Sequence, residues 1–128
     1  MANVRTTGIG GVQARHTMVI APNPTDTWDI WGDDPSTRWV GYGGDTSVLG
    51  DAYFPVPGYP QGALIVYVNN QPIHVFTPKE QFYTVTALGD VSLGPNDGGP
   101  QADPFSDNQG FISVNVIVVP FDEPSPTP

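Results

Sequence analysis

Cysteine is absent from the 128 residues. That excludes a disulfide framework, a thiolate zinc site and thiol catalysis, and it leaves the redox compartment open. Basic residues are scarce: four Lys and Arg stand against thirteen Asp and Glu, for a net charge of −9. A surface that tracks phosphates needs a basic stripe, so the composition argues against a nucleic-acid partner. Long apolar runs are missing as well. The longest, 63–68 and 114–119, fall far short of the roughly 20 residues that cross a bilayer as a helix, and no membrane insertion is expected. The opening Met1-Ala2-Asn3-Val4-Arg5-Thr6-Thr7-Gly8 has no apolar signal-peptide core, so no secretory signal is read and the location stays open. Glu occurs twice and Lys once, a shortage of the residues that decorate exposed helices.

What the chain does contain is 15 Gly and 15 Pro, both poor in helix interiors. Turn signals recur about every ten residues, with Val-, Ile-, Thr- and aromatic-rich runs between them. Strands are read near 4–9, 12–20, 27–31, 38–42, 63–68, 73–76, 81–88, 91–93 and 111–119. The spacing predicts one all-β domain over 1–121, an antiparallel β-sandwich of jelly-roll type with about eight strands. In 111–119, Ile112, Val114, Val116 and Val118 fall on one face at period two, while Ile117 and Val119 make the later half apolar on both sides. Segment 63–68 is apolar on both faces, which suits a central strand, and Val68-Asn69-Asn70-Gln71-Pro72 reads as a hairpin turn. Segments 32–37, 41–62 and 94–110 read as loops. The Pro-rich stretch 122–128 reads as a flexible tail or linker.

The stretch from Gly94 to Gly110 is the most informative. It holds Asp97, Asp103 and Asp107 with Asn96, Asn108 and two Gln, and no basic residue. Gathering carboxylates without a counter-charge is costly wherever they leave water. A bound Ca²⁺ removes that cost, and carboxylates, side-chain amides and backbone carbonyls are the oxygens it takes. The pattern is not an EF-hand, because the bidentate Glu is missing and the flanks are strands. A solvated loop of Asx turns is the other reading of the same residues.

The sequence Val91-Ser92-Leu93-Gly94-Pro95-Asn96-Asp97, followed by Ser106-Asp107-Asn108-Gln109-Gly110-Phe111-Ile112-Ser113-Val114-Asn115-Val116, resembles the closing part of the LecA-like bacterial galactose-binding lectins. Gly62-Ala63-Leu64-Ile65-Val66-Tyr67-Val68-Asn69-Asn70 is similar to their central strand and turn. Asn23-Pro24-Thr25-Asp26 is similar to an early turn, and Thr6-Thr7-Gly8-Ile9 to an opening strand. These pieces occur in family order between residues 6 and 119. The resemblance implies a calcium ion in the acidic loop with the sugar coordinated to it. It implies Asp97 as chelating carboxylate, Asp107 and Asn108 as side-chain oxygen ligands, a backbone carbonyl from Pro104 and another from near Asp33. It further implies that Asp97 and Asn108 hydrogen-bond the hydroxyls of a galactose-type sugar. The chain departs from the family in two places. Its loop between Asp97 and Asp107 is longer, and the family's sugar-contacting His and Gln find no match where Leu49, Asp51, Ala52 and Tyr53 stand.

Trp28, Trp31, Trp39, Tyr42, Tyr53, Phe54 and Tyr59 crowd one part of the chain. Aromatic rings stack on the apolar face of a sugar, and they equally serve as core. Trp39, Tyr42 and Tyr53, in or beside the 41–62 loop, are the candidate sugar platforms, with Asp51 as a polar neighbour. His16 and His74 fall in predicted strands without a third partner, which argues against zinc. No Gly-x-Ser-x-Gly elbow and no dinucleotide fingerprint occur, so no enzyme is read. The expectation is a calcium-dependent lectin, or else a calcium-stabilised structural or protein-interaction module of the same fold. A homo-oligomer is expected too. Small sandwiches have exposed edges, this one has few Lys to guard them, and 111–119 is the candidate interface.

Overall fold

The computed structural model describes residues 4–6, 15–31, 39–98 and 109–120. Ten strands form among them: β1 (Val4–Thr6), β2 (Arg15–Pro22), β3 (Trp28–Asp29), β4 (Gly43–Leu49), β5 (Pro60–Val68), β6 (Gln71–Val75), β7 (Tyr83–Leu88), β8 (Val91–Pro95), β9 (Gln109–Gly110) and β10 (Val114–Pro120). Every pairing is antiparallel, and no helix occurs among the described residues.

The first sheet runs β1-β8-β5-β4. The edge of β5 opposite β8 is shared. Its first half pairs with β4, from Gly43↔Ala63 to Leu49↔Pro60, and its second half pairs with β6, from Ile65↔Val75 to Val68↔Gln71. The second sheet runs β10-β2-β7. A third ladder, β3 with β9, is two residues long, and a single bridge joins Trp28 to Val40.

The two main sheets close on one core, which makes the fold a β-sandwich. Leu64 and Val66 from β5, and Val91 and Leu93 from β8, meet Met18 and Ile20 from β2 and Val85 from β7. Val114, Val116 and Val118 of β10 pack against that cluster as the period-two pattern requires. Trp28, Tyr42, Phe76 and Ile112 fill the ends. Each such side chain contributes roughly 1.5–3 kcal/mol on burial. The β5–β6 hairpin turns at Asn69 and Asn70, both with positive φ (50° and 66°). Two left-handed residues make the turn whose twist matches that of the strands, and Asn tolerates that conformation better than most residues.

The structure differs from the sequence reading in several places. Segment 94–110, read as loop, gives its first two residues to β8 and its last two to β9. Residues 41–62 are not all loop: β4 lies inside them. Its polar run Asp45-Thr46-Ser47 hides it, because an edge strand with solvent on one side needs few apolar residues, and its ladder shifts register between Asp45 and Leu49. The strand expected at 38–42 is a single bridge at Val40 in the residues described. The last strand begins at Val114 rather than 111, since Ser113 donates its N–H to Asp26 Oδ2 (2.8 Å) and its carbonyl accepts the Asn23 N–H (2.8 Å). Those bonds tie the segment to the 23–26 turn. The segments 32–37 and 122–128 lie outside the described residues.

Candidate functional site

Strand β8 ends at Pro95, and the chain then buries two polar side chains in succession. Asn96 is fully buried and Asp97 is 4% exposed. Asn96 is a closed node. Its Oδ1 accepts Val56 N–H (3.1 Å), and its Nδ2 donates toward the carbonyls of Val56, Tyr59 and Pro60 (3.1, 3.2 and 3.1 Å). Two N–H groups serve three acceptors, so one bond is shared. Segment 55–60 is thereby hung on Asn96, whose backbone is held in turn by Ala63 and Gly62.

Past Asp97, Gly98 runs directly against the backbone of Tyr53 and Phe54. A Cβ at 98 would collide with the Tyr53 carbonyl oxygen, so only glycine lets the segment pass. The acidic segment returns at Gln109 and Gly110, where β9 pairs with β3 and Gln109 lies opposite Asp29. Gly110 has φ +75°, and a Cβ there would meet the Trp39 ring.

Asp29 is the residue that the sequence reading missed. It is fully buried. Its Oδ1 accepts Trp31 N–H (2.8 Å), while its Oδ2 has no hydrogen-bond partner among the described residues. A desolvated carboxylate oxygen without a donor is expensive, and a structure keeps one only where something else satisfies it. The available signal was a charged residue inside Trp28-Asp29-Ile30-Trp31, where Trp28, Asp29 and Ile30 are all buried instead of alternating. Asp97 and Asp29 thus stand buried at the two ends of the acidic segment, one leading into it and the other opposite its exit.

The sequence-predicted residues divide into three groups. Asp33, Pro104, Asp107 and Asn108 lie outside the described residues. Trp39 and Tyr53 are exposed, at 51% and 63%, one with its ring against Gly110 and the other with its backbone against Gly98, so each adjoins one end of the acidic segment. Tyr42 and Asp51 are both engaged within the fold. Tyr42 belongs to the core, its ring edge-on to Phe76 at 5.8 Å and its hydroxyl donating to the carbonyl of Glu80, so it presents no open face. Asp51 is exposed and shapes a turn, where its Oδ1 accepts Tyr53 N–H (2.9 Å) and its carbonyl accepts Phe54 N–H (3.1 Å). That turn is what presents Tyr53.

A separate cleft of about 440 Å³ lies between segment 55–59, β6 and residues 77–80. Prolines 55, 57 and 72 wall it with Tyr59 and Ile73. Its polar side is His74, paired with Glu80 at 2.8 Å and stacked on Tyr83 at 3.8 Å between ring centroids. Glu80 Oε1 also accepts Thr77 N–H (2.8 Å). This pair holds the 77–80 turn to β6. Among the described residues, no group of three His, Cys, Asp or Glu converges, and no helix is long and apolar enough to cross a membrane.

Comparison of the chain with protein-family models, curated proteins and solved structures found no match.

Proposed function

We propose that this chain is a calcium-dependent carbohydrate-binding protein for galactose-type sugars, and that it binds without catalysis. The observation that carries the reading is Asp29: a fully buried carboxylate with one oxygen lacking a donor among the described residues, opposite the exit of the acidic segment that Asp97 enters. A hard divalent cation suits such oxygens, and it offsets a desolvation cost that a chain with four basic residues has little else to meet. Asp97 and Asp29 would hold it from the described residues. By the resemblance, Asp107, Asn108 and the carbonyls of Pro104 and the region of Asp33 would join them. Bound there, calcium would supply open coordination positions that two neighbouring sugar hydroxyls can fill. The exposed rings of Trp39 and Tyr53 offer faces for the apolar side of a pyranose. The sugar class rests on the resemblance at Asn96-Asp97 and Asp107-Asn108-Gln109-Gly110.

A calcium-stabilised structural or protein-interaction module is the second reading. It is favoured by the core position of Tyr42, which removes one of the expected sugar contacts. A glycan array run with calcium and with chelator separates the two. The lectin reading expects galactosides to bind in calcium only, with loss in Asn108→Ala and weakening in Tyr53→Ala. Both readings expect calcium to raise the melting temperature by roughly ten degrees, from about 4 kcal/mol at a thousandfold excess over Kd. Identical melting curves in calcium and chelator would end both.

A further inference from the structure

The cleft between segment 55–59, β6 and residues 77–80 shares no residue with the calcium and sugar positions proposed for the chain. Its volume of about 440 Å³ falls within the roughly 300–1,000 Å³ of small-molecule sites. Its walls are fixed before any ligand arrives. Asn96 holds the backbone of Val56, Tyr59 and Pro60, and Gly50 N–H adds a second bond to the Tyr59 carbonyl (2.8 Å). In the 77–80 turn, Glu80 N–H donates to the Thr77 carbonyl (3.2 Å) and Thr77 N–H donates to Glu80 Oε1 (2.8 Å). The Tyr42 hydroxyl ties the Glu80 carbonyl to the core. The apolar wall strands no backbone donor beneath an apolar guest. Prolines 55, 57 and 72 have no N–H, and Val56 N–H is already taken by Asn96 Oδ1.

The polar side of the cleft is biased toward accepting hydrogen bonds. An ionised carboxylate only accepts, so His74 Nε2, 2.8 Å from Glu80 Oε2, is the donor of that pair. In the neutral imidazole, Nδ1 is then an acceptor. Each Glu80 oxygen takes one bond, from Thr77 N–H or from His74, whereas a carboxylate has about four acceptor sites in all. Both side chains of the pair are partly exposed. No Lys or Arg lines the cleft among the described residues; Lys79 is exposed in the same turn but outside the lining.

We propose that this cleft binds a primary ammonium group carried on a compact apolar body, the chemistry of an arylalkylamine. The ammonium donates to Glu80, and the body packs on prolines 55, 57 and 72 with Val56 and Ile73. Charge complementarity selects this ligand over others of the same shape. A carboxylate in place of the ammonium meets Glu80 like to like, and a hydroxyl forfeits the charge-assisted bond. The net charge of −9 draws cations to the surface and repels anions. A small ammonium without a body leaves the apolar wall in water. The inference is independent of calcium and of the sugar reading.

A ¹H–¹⁵N chemical-shift titration of the whole chain with phenethylamine hydrochloride, at constant ionic strength and both in calcium and in chelator, tests it. The expected result is saturable shifts of the amides of Val56, Ile73, His74, Val75, Thr77 and Glu80 in both conditions. Phenethyl alcohol should bind roughly tenfold more weakly or worse, the loss expected when a charged hydrogen bond becomes a neutral one. Ethylammonium and hydrocinnamate should not saturate. Glu80→Gln should weaken phenethylamine by a similar factor and leave phenethyl alcohol unchanged. Ile73→Lys, at an exposed position of β6, should abolish phenethylamine binding with an unchanged far-ultraviolet circular dichroism spectrum. Thr86→Lys, exposed on the other sheet, adds the same charge and should bind as wild type. Absence of saturable shifts at these amides overturns the proposal. So does equal affinity for phenethylamine and phenethyl alcohol, or phenethylamine binding that survives Ile73→Lys unchanged.

Discussion

Asn96 and Asp29 are both fully buried polar side chains, each beside one end of the acidic segment, and they have opposite bookkeeping. Every hydrogen-bonding group of the Asn96 side chain finds backbone, and segment 55–60 is fixed as a result. Asp29 satisfies one oxygen and, among the described residues, leaves the other without a partner. A closed node rigidifies the fold and offers nothing to a ligand. An open node costs stability until something fills it. Gly62 lies between them: its N–H bonds the Asn96 carbonyl (2.9 Å), and its carbonyl accepts Trp28 Nε1–H (2.7 Å).

The largest effect should come from opening the closed node. Asn96→Leu takes the side-chain partner from the Val56 N–H and from the carbonyls of Val56 and Pro60, while the Tyr59 carbonyl keeps its bond from Gly50 N–H (2.8 Å); at about 1–3 kcal/mol for each buried group left unsatisfied it should cost roughly 3 kcal/mol or more in urea unfolding. Calcium should not restore the wild-type midpoint. If Asn96→Leu were neutral, the distinction between the two nodes would fail.

Closing the open node comes second. Asp29→Asn can keep an acceptor for Trp31 N–H while losing the charge, so its stability in chelator should match or exceed wild type. Its calcium affinity should fall roughly tenfold, which removes about 1.4 kcal/mol of the calcium-dependent increment at fixed calcium. Differential scanning fluorimetry across a calcium series measures this. An unchanged calcium response would place the cation away from Asp29.

Cutting the link between the nodes is a smaller perturbation. Trp28→Phe keeps most of the buried ring and deletes the bond to the Gly62 carbonyl. The expected loss is about 1 kcal/mol for the bond, with a further contribution from the smaller ring. Chemical denaturation of this variant with and without calcium shows whether the calcium increment depends on that link. The smallest effect concerns Tyr67, half-buried on β5, whose phenol is pushed above its ordinary value by burial. A raised pKa in the folded state means that stability is intact below about pH 10 and declines as pH rises through the folded value. Tyrosinate absorbance should show one late component, and Tyr67→Phe should remove it.

Much of the sandwich was legible because its signals are local. The alternation in β10, the doubly apolar β5 and the Asn69-Asn70 turn each report their own environment within a few residues. β4 was not legible, since an edge strand with polar neighbours borrows its structure from the pairing with β5. Candidate site residues were legible by type alone. Trp39, Tyr42 and Tyr53 are equivalent in sequence as aromatic neighbours of a long loop. One ring meets Gly110, one is lifted by the Asp51 turn, and one enters the core through contacts with Phe76 and Glu80 that lie more than thirty residues away.

By itself the sequence determined the all-β class, the acidic character and the segment in which carboxylates and side-chain amides gather, because composition and short-range periodicity carry those properties. Only the tertiary structure decided that Asn96 is architecture, that Asp29 is a buried carboxylate with one oxygen unpartnered among the described residues, and that β10 ends the order of its sheet there. Burial, partner count and edge position depend on residues brought together from distant parts of the chain, and no window of sequence contains them.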